Sequence, residues 1–224
     1  MFENRTDKIY FKTHGGQFYR EVPEGTPNAQ TRTAEKTGRK ITYLAYNRIT
    51  GFITGIQYRK HEHEGKVYRS VCIDMQSKAG EWRIELNVFG NPARCFFHVM
   101  ESIDPSLECQ FDIKRSGERD NIFVAQPDGT GRMQALKWNY TKDNPGERPE
   151  WVEKVNKFGE KEWDNTAEIA WFLEKVPGVN ERFTGNWATA PATMPAASPV
   201  NDMDIPEMLP ATSEEPPVTD DLPF

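Results

Sequence analysis

A mostly β fold follows from three features of the 224-residue sequence. β-branched and aromatic residues crowd into short runs between positions 8 and 140, with turn residues between the runs. One clear helix start, Asn91-Pro92, interrupts that series. After Arg182 there is no Lys or Arg, and from Gly185 the chain is rich in Pro, Ala, Thr and Ser, a composition that cannot offset the entropy of ordering. The expectation is a β body over residues 1–184 and a disordered acidic Pro-rich tail over 185–224.

In chain order, residues 8–22 read as a hairpin: Ile9, Tyr10 and Phe11, then Gly15-Gly16, then Phe18, Tyr19 and Val22. Pro23 to Gly38 is polar and turn-rich and, with Arg39 and Lys40, reads as a mobile basic loop. Residues 41–46, 52–60, 66–75 and 82–89 are strand runs. Asn91 as N-cap and Pro92 in the first turn open a helix that ends near Pro105. Strands follow at 107–114 and 121–126 around a turn at Gly117, and a further one at 133–140. Residues 141–162 are charged and fit neither period. Asp164 can cap a helix whose apolar positions Ile169, Phe172, Leu173 and Val176 share one face, docked on the body, with Pro177-Gly178 as its stop.

Strands, one helix, then more strands is the order of an OB-type barrel, where a helix plugs the barrel end between the third and fourth strands. More than five strand runs are present, so the expected architecture is an OB-fold-like barrel with extra edge strands and a C-terminal helix. Cys72, Cys95 and Cys109 form no CxxC pair and read as free buried thiols. No apolar run is long enough to span a membrane, and the polar start carries no secretory pattern.

Net charge is −6, which argues at first against a polyanionic partner. Residues 185–224 hold seven acidic and no basic residues, so residues 1–184 carry +1. A near-neutral body can still present a basic face if its charges are segregated.

No P-loop, GxSxG or HExxH pattern is present. His61 and His63, beside Glu62 and Glu64, are loop imidazoles with no fixed geometry for a metal. Asp74, Glu81, Glu85, Asp104 and Asp112 could hold Mg²⁺ in a nuclease, although single acids in strand turns are usually solvated. His98 reads as packed or exposed, not catalytic. No cofactor is expected.

A stacking surface is the stronger candidate, because binding single strands needs aromatic faces for bases and cations for phosphates. If Lys60 faces Lys66 across a hairpin, Tyr58 lies opposite Tyr68. If Met75 faces Trp82, Asp74 meets Arg83 and Tyr68 meets Phe89. That register predicts a row Tyr58–Tyr68–Phe89 flanked by Lys60 and Lys66, or else aromatics that merely cover the barrel. Tyr43, Tyr46, Arg48, Lys137, Trp138 and Tyr140 form a second aromatic-basic set. Lys114, Arg115 and Arg119 read as a solvated turn, or else as the lining of a groove.

The chain ends Asp220, Asp221, Leu222, Pro223, Phe224. Two carboxylates, a proline-stiffened apolar step, a ring and a terminal carboxylate suit a shallow pocket with a basic rim and apolar floor. This end resembles the acidic-hydrophobic tip of bacterial single-stranded DNA-binding proteins. The longer, more aromatic body is similar in architecture to the single-stranded DNA-binding proteins of tailed bacteriophages. The resemblance implies a non-enzymatic, phage-encoded protein in the bacterial host cytoplasm. Such a protein coats single-stranded DNA in replication, recombination and repair. Its tip, residues 220–224, would recruit a polymerase, helicase or primase. The rivals are a metal-dependent nuclease on a β-rich scaffold and an adaptor domain with an acidic docking tail.

Overall fold

A computed structural model describes residues 8–34, 38–63 and 65–187. It contains a hairpin β1 (Ile9–His14) and β2 (Gln17–Glu21), then β3 (Gln30–Thr33) and β4 (Lys40–Tyr46). Three long strands follow: β5 (Arg48–His63), β6 (Lys66–Ser77) and β7 (Gly80–Asn87). After helix α1 (Asn91–Phe97) and a 3-10 turn at Met100–Ser102 come β8 (Cys109–Ser116), β9 (Arg119–Pro127) and β10 (Met133–Ala135). A separate two-stranded hairpin, β11 (Val152–Val155) and β12 (Lys161–Asp164), precedes helix α2 (Thr166–Trp187). The first ten strands form one curled sheet in the order β10-β9-β8-β5-β6-β7-β1-β2-β4-β3. The fold is mostly β, as expected.

β5 is the pivot. Its first four residues, Arg48–Gly51, pair with β8, and Phe52–His63 pair with β6, with an irregularity between Ile53 and Gly55. The transfer occurs at Gly51, where a Cβ would sit 2.8 Å from the Gln76 carbonyl oxygen, so only glycine lets the backbones approach this closely. Beyond Gly51, β5 has no strand on its β8 side among the described residues. Helix α2 covers that side, and Asn180 Oδ1 accepts the Ile56 N–H at 2.7 Å.

The inner face of the sheet alternates as strands with one buried face must. Ile56, Ile73 and Ile84 are cross-strand neighbours, as are Val71 and Leu86, and all are buried. Phe96 and Phe97 of α1 enter this core against Phe111 and Phe172. The helix starts one residue earlier than expected: Gly90 is the N-cap, and Asn91 instead donates its amide to Asp120 O and Asn121 Oδ1.

Three expectations are corrected. α2 does not stop at Pro177-Gly178 but runs on to Trp187, past the 184 boundary. An interior proline costs about 3 kcal/mol, yet Val179 and Phe183 beyond it are buried, each worth about 1.5–3 kcal/mol. The 23–38 segment contains a strand, β3, paired to β4, and Arg39 in its flank is ion-paired to Glu21. The 133–140 run is a strand only to Ala135, because Asn139 donates its N–H to the His98 carbonyl instead of extending a ladder. The three cysteines are free and buried, and burial pushes the Cys109 thiol up to about 12, against a bond from Gln126.

On the outer face of β6 and β7, Asp74 lies opposite Arg83, as the expected β6–β7 register requires. The guanidinium makes two bonds of 2.7 Å to the carboxylate, and Lys8 adds a third at 2.9 Å. Burial works against the Asp74 charge, but Arg83 and Lys8 outweigh it and hold the carboxyl below its ordinary range. Replacing Asp74 by Ala strands a buried Arg83 and should cost about 3–5 kcal/mol. Urea unfolding of Asp74→Ala, Arg83→Met and the double variant checks this. The double variant should lose less than the sum of the singles; simple additivity would show that the pair is not coupled.

Candidate nucleic-acid interface

The ladder between β6 and β7 ends at Ser70–Asn87, with one further bond from Val88 N–H to Arg69 O. Past that point β5 and β6 continue alone as a two-stranded arm around the turn at Gly65. From Gln57 to Glu62 and from Lys66 to Arg69 every residue is exposed. The arm carries Arg59, Lys60, Lys66 and Arg69 against Glu62 within those stretches.

Its register differs from the expected one. His63 faces Lys66, Lys60 faces Arg69, His61 faces Tyr68, and Tyr58 faces Val71. A loop at 61–65, which pairing Lys60 with Lys66 requires, does not form, because the strands pair as far as His63. The slip is odd in number, so it moves the two tyrosines to opposite faces. Tyr58 is on the face of Lys60 and Arg69. Tyr68 is on the other face, stacked on His61 with 5.2 Å between ring centres. Phe89 lies just past the end of β7 and does not face Tyr68. The guanidinium of Arg69 sits 5.8 Å from its ring centre. All three rings are open to solvent, Tyr58 at 40%, Tyr68 at 46% and Phe89 at 51%, so each can stack on a base.

The second aromatic-basic set divides into separate neighbourhoods. Tyr43 is half-buried on β4 and donates its hydroxyl to Gln30; Tyr46 packs edge-on against Phe11; Arg48 is paired to Asp112 at 2.7 Å. Tyr140 is half-buried and donates to Glu101, beside Lys175 and the edge of Trp171. Lys137 is exposed. Trp138 keeps an exposed ring whose inner face stacks on His98 at 4.4 Å. The tip residues Asp220, Asp221, Leu222, Pro223 and Phe224 lie outside the described residues.

Beside Trp138 lies a cluster that sequence reasoning missed. Glu168, in the first turn of α2, is 1% exposed. It accepts bonds from Arg148 and from Trp151 Nε1, and Arg94 Nε is 3.5 Å away. The Arg94 guanidinium is 4.5 Å from the ring centre of Trp151 and 5.9 Å from that of Trp138. Trp151 and Arg148 come from the segment that fits neither period, and Glu168 lies in the first turn of α2. No sequence signal links positions 94, 148, 151 and 168.

Among the described residues no three His, Cys, Asp or Glu side chains gather where they could hold a metal ion. Four of the five acids raised for Mg²⁺ have other partners: Asp74 has Arg83, Glu85 has Ser70, Asp104 has Ser106 and Asp112 has Arg48, while Glu81 is exposed. No helix among the described residues is long and apolar enough to cross a membrane. No family model matches the chain, and no curated protein or solved structure matches it.

His98 is buried, and burial, reinforced by Arg94 and Arg148 against the pull of Glu168, holds its pKa down to about 4 from the ordinary 6.5. As pH falls below 6.5 the unfolded chain takes up a proton that the folded imidazole refuses. Stability should therefore decline between pH 6.5 and about 4 on this account and gain no further His98 slope below that. Urea midpoints for wild type and His98→Phe across that range test it. A shallower slope in the variant is expected, and equal slopes would assign the dependence to other groups.

Proposed function

We propose that this protein binds single-stranded DNA without sequence preference, as do the single-stranded DNA-binding proteins of tailed bacteriophages that its body resembles and of bacteria that its terminus resembles. The observation that carries the reading is the pairing of Lys60 with Arg69 directly across the arm, with Arg69 over the exposed ring of Phe89. Like charges opposite one another weaken a ribbon, and a two-stranded ribbon is marginal already. A phosphate placed between Lys60 and Arg69 relieves that repulsion, and Tyr58 and Phe89 beside them supply faces for bases.

The chain order supports it too. β5, β6, β7, α1, β8 and β9 follow the order of an OB-type barrel, with β5 shared between β6 and β8. β1, parallel to β7, occupies the place where such a barrel would close. On this reading the arm is the loop after the first barrel strand, and the turn at Gly117 is the loop between the last two. Those two loops flank the oligonucleotide face of OB-folds. The acidic residues 202–221 and the tip ending at Phe224 serve, in this proposal, to recruit replication or repair enzymes.

Tyr58→Ala and Phe89→Ala should each weaken oligonucleotide binding by about 1–3 kcal/mol, similarly for different base compositions. Lys60→Ala and Arg69→Ala should each lower the salt slope by roughly 0.7. Fluorescence titrations at several salt concentrations read both effects. Wild-type affinity and slope in all four folded variants would reject the arm as the interface.

The tail adds a second test. A cut after Trp187 spares α2, whose Phe183 is buried, and removes all seven acids of residues 185–224. If the acidic tail competes with DNA for the basic face, DNA should bind tighter at low salt after the cut, and the gain should fade as salt screens that competition. Removing Phe224 alone should leave DNA affinity unchanged while weakening capture of a host or phage polymerase, helicase or primase. Unchanged low-salt affinity after the long cut would exclude competition by the tail.

A further inference from the structure

A cleft of about 270 Å³ opens where the end of β7, the start of α1 and the start of β9 meet the segment before β11. Phe89, Asn91, Arg94, Arg119, Trp151 and Asn165 line it. The volume lies just under the roughly 300–1,000 Å³ of small-molecule sites, room for a base with its phosphate and little more.

The charges of the cleft are not balanced from within. Glu168, the carboxylate behind it, already serves Arg94, Arg148 and the Trp151 indole. Arg119, on the rim, has no ion-pair partner among the described residues. Arg94 Nε is buried, and its 3.5 Å approach to Glu168 lacks hydrogen-bond geometry. Trp151 has its indole N–H held by Glu168 and a face covered by Arg94, so it positions that guanidinium. Phe89 is different, because its ring is half-exposed at the cleft edge, under Arg69.

We infer that this cleft is a nucleotide pocket, with the phosphate on Arg119 and Arg94 and the base stacked on Phe89. A guanidinium pair selects a phosphate, and an open phenyl face accepts any base. The nucleotide can be one unit of a bound strand or a free mononucleotide. The first source rests on the proposed strand binding; the chemistry of the cleft does not.

The test uses full-length protein, Arg119→Ala and Phe89→Ala, with thymidine monophosphate, thymidine, inorganic phosphate and a thymidine oligonucleotide as probes. The Trp151 indole N–H resonance reports on the cleft. Thymidine monophosphate should shift it, and thymidine or phosphate alone should bind far more weakly. Arg119→Ala should weaken the mononucleotide about tenfold, one charge-assisted bond, and Phe89→Ala should weaken it by a similar factor. Competition between oligonucleotide and mononucleotide, with both weakened in Arg119→Ala, identifies a strand unit as the occupant. Mononucleotide binding with no oligonucleotide binding keeps the pocket and rejects the proposed function. Oligonucleotide binding with no response at Trp151 rejects the pocket and leaves the proposed function standing. Phosphate binding as tightly as the mononucleotide also overturns the inference, since the cleft would then be a plain anion site.

Discussion

The fold depends on one strand carrying two hydrogen-bonded ladders. β5 gives its first residues to β8 and the rest to β6, and the exchange requires close backbone contact at Gly51. Two structural debts follow. The edge that β8 leaves behind must be covered, and α2 covers it, with Asn180 satisfying the Ile56 N–H. This explains why the helix passes through Pro177: stopping there would withdraw Val179, Asn180 and Phe183 from the core and from the open edge. The far half of β5 is also longer than β7 can accompany, so it emerges with β6 as a bare ribbon. The arm begins where β7 ends.

Charge is sorted by depth. The buried carboxylates each hold arginines: Asp74 takes Arg83, and Glu168 takes Arg94 and Arg148. Such pairs yield little net stability but are expensive to break. On the arm the sorting reverses. Arg59, Lys60, Lys66 and Arg69 stand in solvent with Glu62 as the acid among the described arm side chains, and two of the cations face each other. A body of net +1 thus presents a locally cationic ribbon because many of its acids are spent elsewhere.

Most of the strand runs, helix α1 and the buried cysteines were legible because they rest on periodicity and burial, which sequence encodes locally. The Asp74–Arg83 pair was legible because a two-residue turn, Lys78-Ala79, leaves one register for β6 and β7. The hairpin of β5 and β6 offered no such constraint. Its end is a run of polar residues that reads as loop, and the ladder in fact continues through it to His63. An error of a few residues there was enough to put Tyr58 and Tyr68 on one face. The Arg94–Trp151–Glu168 cluster was illegible for a different reason. It joins residues from α1, an irregular segment and α2, and no periodic signal spans such a distance.

The two parts of the surface differ in rigidity, and that difference has consequences for binding. Arg94 and Trp151 are held by the buried carboxylate of Glu168, so little side-chain entropy is lost when an anion meets them. The arm is a ribbon with no third strand among the described residues, and two of its cations face each other, so its pairing is weaker than that of the packed elements. Phe89 joins the two, touching Arg69 of the arm and bordering the cleft that Arg94 lines. A strand laid along this path would meet a fixed point at the cleft and an adaptable one at the arm. Such a pairing suits a ligand whose phosphate spacing is constant and whose bases vary, because the fixed point sets the backbone and the adaptable one tolerates the sequence.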